Sequence, residues 1–201
     1  MFTPYNPMPE GHIYIDGAGE SFDRTLWDNT YFDDETFTKV LDGMPIPCTD
    51  ILWINPEKRV LHLAWRTVYA TKGPWMFGGR QRRGETPREA AVRLLNAEVG
   101  TEINLENLHF IQWAIYFSKF RKQEPERNGV HDIYFHYCYV ADDELVATAQ
   151  TKLEPKEYDL EHSIRPYTRA DLEAIDQNGP YAFNRLILLE EFDRIFGPES
   201  S

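Results

Sequence analysis

Residues 75–100, WMFGGRQRRGETPREAAVRLLNAEVG, carry the signals that decide the fold. They predict a short strand, a glycine turn at Gly78-Gly79, a basic loop and one helix. Thr86 is placed to cap the helix, Pro87 suits its first position, and Glu89 completes a Thr-x-x-Glu capping box. Gly100 stands where a helix commonly ends in a left-handed residue. Ala90, Ala91, Leu94, Leu95 and Ala97 lie between these marks and all favour helix. The two glycines let backbone come close, and free N–H and C=O groups there could face a ligand.

The spacing of Gly79, Glu85, Arg93, Glu98 and Gly100 resembles the signature of the Nudix hydrolases, G-x5-E-x7-R-E-U-x-E-E-x-G-U with U apolar. The sequence departs from that pattern at three places. Leu94 and Ala97 stand where glutamates are expected, and Thr101 stands where an apolar residue is expected. The remaining run, Arg93-Leu-Leu-Asn-Ala-Glu98-Val-Gly100, is similar to the R-L-T-x-A-E-L-G form of the GDP-mannose mannosyl hydrolases. The resemblance implies an α/β (α+β) fold of the Nudix type, a mixed sheet between helices.

The departure has a chemical reading. Leu94 and Glu98 share a helix face. The full pattern would gather several carboxylates there, suited to two or more Mg²⁺ ions, and Glu98 alone remains. One carboxylate with backbone oxygen and water suits a single Mg²⁺. The resemblance implies Mg²⁺, with Mn²⁺ as the alternative, held by Glu98, Glu161 and the Gly79 carbonyl. Without the rest of the motif, Glu98 would read as a solvated helix residue. Glu85 and Arg93 read as an ion pair that fixes the loop to the helix, since such pairs set geometry more than stability. Arg80 and Arg82 of the basic loop, with Arg83 and nearby Lys72, are either a solvated face or a phosphate-binding group.

Further from the motif, residues 48–65 read as a hairpin turning at Asn55-Pro56-Glu57-Lys58. Arg66-Thr67 follows. The mannosyl hydrolases carry an Arg-Thr pair near this distance, one residue different in the intervening loop, and its arginine contacts the leaving diphosphate. The resemblance assigns that role to Arg66 and a substrate-positioning role to Asp50, which otherwise reads as a strand-start aspartate. Residues 108–117 and 130–140 predict two more strands, rich in aromatics. The polar connection SKFRKQEPERNG is of the kind that carries specificity. His136 alternates with apolar residues and reads as a hydrogen-bonded core histidine. Beyond it, Glu161-His162 stands where the mannosyl hydrolases have Gln-His before a strand and helix. The resemblance makes His162 the general base, a task an imidazole suits near neutral pH, with Glu157 and Asp159 as alternatives in the same loop. A strand at 164–167, a helix opening at Thr168 and a terminal helix over 181–196 complete the expectation.

The chain has 21 Lys+Arg against 33 Asp+Glu, a net charge of -12, which argues against general nucleic-acid or anionic-membrane binding. Cys48 and Cys138 form no disulfide or zinc pattern. The opening MFTPYNPMPE lacks the basic and apolar parts of a signal peptide, and no run is long enough to cross a bilayer, so a cytoplasmic protein is expected. Residues 1–47 read as a partly irregular extension with a helix over 34–41, a short strand at HIYI and packing aromatics Trp27, Tyr31, Phe32 and Phe37; residues 48–175 form the body and 176–201 a packed C-terminal helix. A homodimer is expected. Three functions are open: a Mg²⁺-dependent hydrolase of a nucleoside diphosphate sugar attacking the sugar C1, a Nudix pyrophosphohydrolase attacking phosphorus of a nucleoside diphosphate derivative, and a non-catalytic nucleotide-sensing or interaction protein.

Overall fold

A computed structural model describes residues 32–68, 72–99, 103–119 and 121–197. The expected HIYI strand, Trp27, Tyr31, Gly100 and Thr101 lie outside these residues, as does the side chain of Glu98. The elements run α1 (Asp34–Gly43), β1 (Ile46–Asn55), β2 (Val60–Arg66), β3 (Gly73–Trp75), β4 (Phe77–Arg80), α2 (Pro87–Val99), β5 (Leu108–Ser118), β6 (Val130–Val140), α3 (Asp143–Gln150), β7 (Ile164–Tyr167), α4 (Arg169–Glu173) and α5 (Ala182–Phe196).

One mixed sheet carries the fold. Its order is β3-β2-β1-β6-β5, with β4 also paired to β1 and β7 to β2. The one parallel pair, β1 with β6, runs from Ile46 opposite Asp132 to Ile54 opposite Val140. Both faces of β1 are covered, so it is buried without alternation from Cys48 to Ile54, Thr49 and Asp50 included. The β1–β2 hairpin turns where the sequence marks it, with the Lys58 N–H donating to Asn55 Oδ1 at 3.1 Å. It opens at Ile46, two residues before Cys48.

The two sheet faces bury separate cores, which makes three layers. On one, Ile51, Trp53, Phe77 and Tyr139 pack with Ala91 and Leu95 of α2 and Val146 and Ala149 of α3. On the other, Leu52, Ile54, Leu63 and Cys138 pack with Leu172 of α4 and Ile187, Leu188 and Phe192 of α5. Helix α1 packs Leu41 against Ile46, Cys48 and Val130. Helix α3 was not foreseen from the sequence, although Asp142 caps it through the Leu145 N–H at 2.8 Å and its apolar residues are correctly spaced.

The glycine pair corrects the sequence reading. Gly78 and Gly79 form no turn; they lie in β4, opposite Asp50 and Thr49 of β1. The reason is close approach. A Cβ on Gly78 would stand 2.1 Å from Asp50 Oδ1 and 2.5 Å from the Thr49 carbonyl. The other carboxylate oxygen, Asp50 Oδ2, accepts from Trp75 Nε1 at 3.0 Å. Asp50 thus sits under the segment that leads into the motif, 3% exposed. Burial raises its pKa to about 6, against the pull of His136, Arg66 and the Trp75 bond.

Two outcomes follow from this contact. Gly78→Ala should destabilise the fold by about 3 kcal/mol, because backbone stands in the way of the new Cβ; Gly43→Ala, which meets nothing within 4 Å, serves as the control in the same thermal melts. For Asp50 the sign is the reverse of the usual carboxylate. Its folded pKa lies above the unfolded value, so it contributes least cost when protonated, and stability is lost as pH rises from about 4 through about 6. Asp50→Asn should therefore be more stable than the parent above pH 7, by up to about 3 kcal/mol, with the gain vanishing below pH 4. A constant difference across that window would show that the ionisation of Asp50 carries no such cost.

Candidate active site

The motif helix begins as its sequence dictates. Thr86 Oγ1 accepts from the Glu89 N–H at 3.1 Å and Glu89 Oε2 accepts from the Thr86 N–H at 2.7 Å, the reciprocal capping box. The preceding loop is closed by Glu85. Its Oε1 takes the Arg93 Nε at 2.5 Å, and its Oε2 takes Arg93 Nη2 at 2.8 Å and the Arg82 N–H at 2.8 Å. Arg93 Nη2 also donates to the Arg80 carbonyl at 3.0 Å. One arginine therefore joins the end of β4, the loop and α2. Burial opposes ionisation of Glu85, but these bonds outweigh it and hold its pKa below the usual value. The expected structural pair is present.

Leu94, one residue on, lies partly buried against the core of that sheet face. Its Cδ2 would be 3.1 Å from a Cβ on Gly79. The position where the full motif places a glutamate is thus filled by an alkyl group lying over the glycine strand. Ala97 is exposed. Among the described residues, no group of three or more His, Cys, Asp or Glu side chains is gathered in a way that could hold a metal ion. The expected set of Glu98, Glu161 and the Gly79 carbonyl includes a side chain, that of Glu98, outside the described residues.

Arg80 is exposed. Its guanidinium lies over the Phe37 ring of α1, 4.2 Å from the centroid. Arg82 is exposed, with its backbone N–H spent on Glu85.

A second constellation forms at the far end of β2. Antiparallel pairing sets Ala64 opposite Ile164 and bridges Arg66 to Tyr158. The loop before β7 is sewn to the strand end: Thr67 N–H donates to the Glu157 carbonyl at 2.8 Å and Asp159 N–H to the Trp65 carbonyl at 2.9 Å. This brings His162 to the end of β2, against Trp65, the residue before Arg66. His162 Nδ1 is 2.7 Å from Asp159 Oδ2. The bond from His162 lowers the pKa of Asp159, which keeps it ionised. The imidazole stacks on Trp65, 4.8 Å between centroids and 27° between planes, and Tyr181 meets the indole edge-on at 5.1 Å. With Nδ1 engaged, Nε2 is the nitrogen left to exchange a proton. Glu161 is exposed; its N–H donates to Asp159 Oδ1 at 2.9 Å and its carbonyl accepts from Arg165 Nη2 at 3.3 Å. Asp159, which the sequence offers as an alternative base in this loop, is the hydrogen-bond partner of His162. Trp65 was not foreseen.

His136 is a core residue, as expected. It is wholly buried, with Nδ1 2.6 Å from Glu191 Oε1 of α5, and Glu191 also accepts from Gln112. Glu191 carries no sequence signal, because its place in a terminal helix does not reveal the strand it meets. A groove of about 770 Å³ runs along α2, lined by Thr86, Glu89, Val92, Arg93, Asn96 and Leu105, and contains none of Arg66, Asp159 or His162.

The comparisons agree with this architecture. The NUDIX domain model matches residues 44–183. A MutT NUDIX hydrolase from Burkholderia pseudomallei is 17% identical, with 73% of this chain and 97% of that chain covered and a TM-score of 0.50. The MutT protein from Methanosarcina mazei Go1 is 21% identical, covering 76% and 96%, with a TM-score of 0.48. For a MutT/nudix family protein from Enterococcus faecalis the figures are 14% identity, 71% of this chain and a TM-score of 0.40, and the match spans 47% of that longer protein. No curated protein matches the chain. At 17% identity the Burkholderia pseudomallei structure speaks for the fold alone. The family model spans well over half of the sequence and coincides with the sheet and its motif helix, and on that ground the chain belongs to the NUDIX domain family.

Proposed function

We propose that the protein is a hydrolase of a nucleoside diphosphate derivative, and that it attacks the C1 of a diphosphate-linked sugar in the manner of the GDP-mannose mannosyl hydrolases. The observation that carries the reading is the His162–Asp159 pair, stacked on Trp65. Asp159 holds Nδ1, so Nε2 accepts a proton from water. The water oxygen bonds to C1 as the C1–O bond to diphosphate breaks, and that electron pair leaves with the diphosphate. Arg66 faces the charge that develops on the departing group. Asp50 acts from below by holding Trp75 and the glycine strand in place. Arg82 and Arg80, both exposed, are the phosphate-facing cations of the loop. Glu98 and Glu161 with the Gly79 carbonyl are the groups we assign to a divalent ion such as Mg²⁺, which when bound would supply positive charge to the leaving diphosphate. Leu94 supports attack at carbon, since an alkyl group occupies a place where a carboxylate would serve a multi-ion clamp at phosphorus.

The test is hydrolysis of nucleoside diphosphate sugars in ¹⁸O water with the products weighed. Label in the sugar is expected. Label in phosphate would replace this reading with pyrophosphohydrolase chemistry at phosphorus, and absence of turnover across a broad panel would favour a nucleotide-sensing protein. His162→Gln should cut kcat by about 10²–10⁴, and Asp159→Asn by less, with both variants melting as the parent does. Normal turnover by His162→Gln would remove it from the chemistry. Glu98→Gln should weaken Mg²⁺ binding in calorimetric titration without lowering the melting temperature; unchanged affinity would place the ion elsewhere.

A further inference from the structure

The first turn of α5 is clasped to the short strand β3. Asn184, 3% exposed, donates through Nδ2 to the Lys72 carbonyl at 2.9 Å and to the Pro74 carbonyl at 3.0 Å. Both partners are acceptors only, so the two hydrogens of one amide nitrogen are spent on them. These carbonyls flank Gly73. Tyr181 stands just before the helix, and its carbonyl accepts the opening bond of α5 from the Arg185 N–H at 2.9 Å. Its ring lies against Gly73, where a Cβ would stand 2.5 Å from Cδ1 and 2.8 Å from Cε1. Gly73 also has φ +95°, so a side chain is disfavoured there by backbone and by neighbour alike.

From β3 the order passes to the end of β2. Gly73 pairs with Arg66, and Pro74 with Trp65. The Tyr181 ring, seated on Gly73, meets the Trp65 indole at 5.1 Å and 79°. The same indole carries the His162 imidazole, 4.8 Å away and 27° from parallel. Asp159 holds that imidazole at Nδ1 alone. A single hydrogen bond leaves the ring free to turn about it, so the plane of the imidazole is set by the surface on which it stacks. Trp65 is only half-buried, and its own rotamer has to be fixed by what packs on it.

We propose that Tyr181 is a positioning residue for His162, acting through Trp65. Asn184 and Gly73 seat the tyrosine, the tyrosine holds the indole, and the indole sets the plane in which His162 presents Nε2. The C-terminal helix thereby reaches the proposed base without touching it. The contacts that matter are made by the tyrosine ring, so phenylalanine can take its place. The effect on turnover rests on the reading of His162 as the general base; the effect on the imidazole itself does not.

Carbon–proton correlation spectra of the histidine rings in the full chain test this, with the His162 signal identified by its loss in His162→Gln. In the parent the indole ring current should hold the His162 ring protons upfield of their ordinary positions. Tyr181→Leu should move them back, and should lower kcat on nucleoside diphosphate sugars about tenfold or more with KM little changed. Tyr181→Phe should keep the parent's spectrum and rate. Trp65→Leu removes the link, so adding Tyr181→Leu to it should change neither readout further. Ile187→Val, a truncation in the buried face of α5, should lower the melting temperature and leave the His162 signal in place. The spectra are taken without substrate, so they decide on the linkage even if the protein hydrolyses no sugar nucleotide. A His162 signal unmoved by Tyr181→Leu would overturn the proposal. So would a signal moved as far by Tyr181→Phe, full additivity with Trp65→Leu, or a displaced imidazole that turns over at the parent's rate.

Discussion

The fork between Glu85 and Arg93 is the constraint on which the motif depends. Arg93 reaches back along α2 to grip both oxygens of Glu85 and the carbonyl of Arg80. Loop, strand end and helix are thereby fixed relative to one another by one half-buried side chain. The gain lies in geometry, because a partly desolvated pair returns little net stability while removal of either partner strands a charge. Once the loop is fixed, Ala91 and Leu95 have only one face of the sheet to cover, and Leu94 falls across Gly79.

The second region is held by different forces. Backbone bonds sew residues 157–159 to the end of β2, and the imidazole stacks on Trp65, whose indole Tyr181 meets edge-on. The proposed base, His162, has Asp159 at its Nδ1 and the Trp65 indole against its face. The C-terminal helix supplies part of this order. Tyr181 precedes α5, and Glu191 within it reaches the wholly buried His136 in the centre of the sheet. Asp50 lies opposite that histidine on the neighbouring strand, so the polar interior of the sheet and the glycine strand share one electrostatic neighbourhood.

Much of the fold is legible in the sequence because its signals are local. Thr86, Pro87 and Glu89 mark the helix start without reference to any other part of the chain, and the Asn55-Pro56 turn does the same for the hairpin. The Glu85–Arg93 pairing is readable because its spacing brings the loop back over one helical face. What the sequence concealed is long-range. The close approach of Gly78 to Asp50 depends on β4 pairing with β1 across twenty-eight positions, so a glycine pair that looks like a turn is a strand. Arg80 was readable as a cation in a basic loop, but its ring partner Phe37 arrives from the extension before the domain. Asp159 and His162 are local and their partnership could have been weighted more heavily; Trp65 joins them only because β7 returns beside β2. The acidic groups of the motif helix remain readable by type and spacing alone.

The central claim is that Asp159 fixes His162 with its outer nitrogen able to take a proton. Long-range ¹H–¹⁵N correlation spectra of the imidazole in the neutral protein test it most directly. The account predicts a proton on Nδ1, an unprotonated Nε2, and a shift of the Nε2 resonance when a nucleoside diphosphate is added. A neutral ring protonated on Nε2, indifferent to the nucleotide and unchanged in Asp159→Asn, would contradict it.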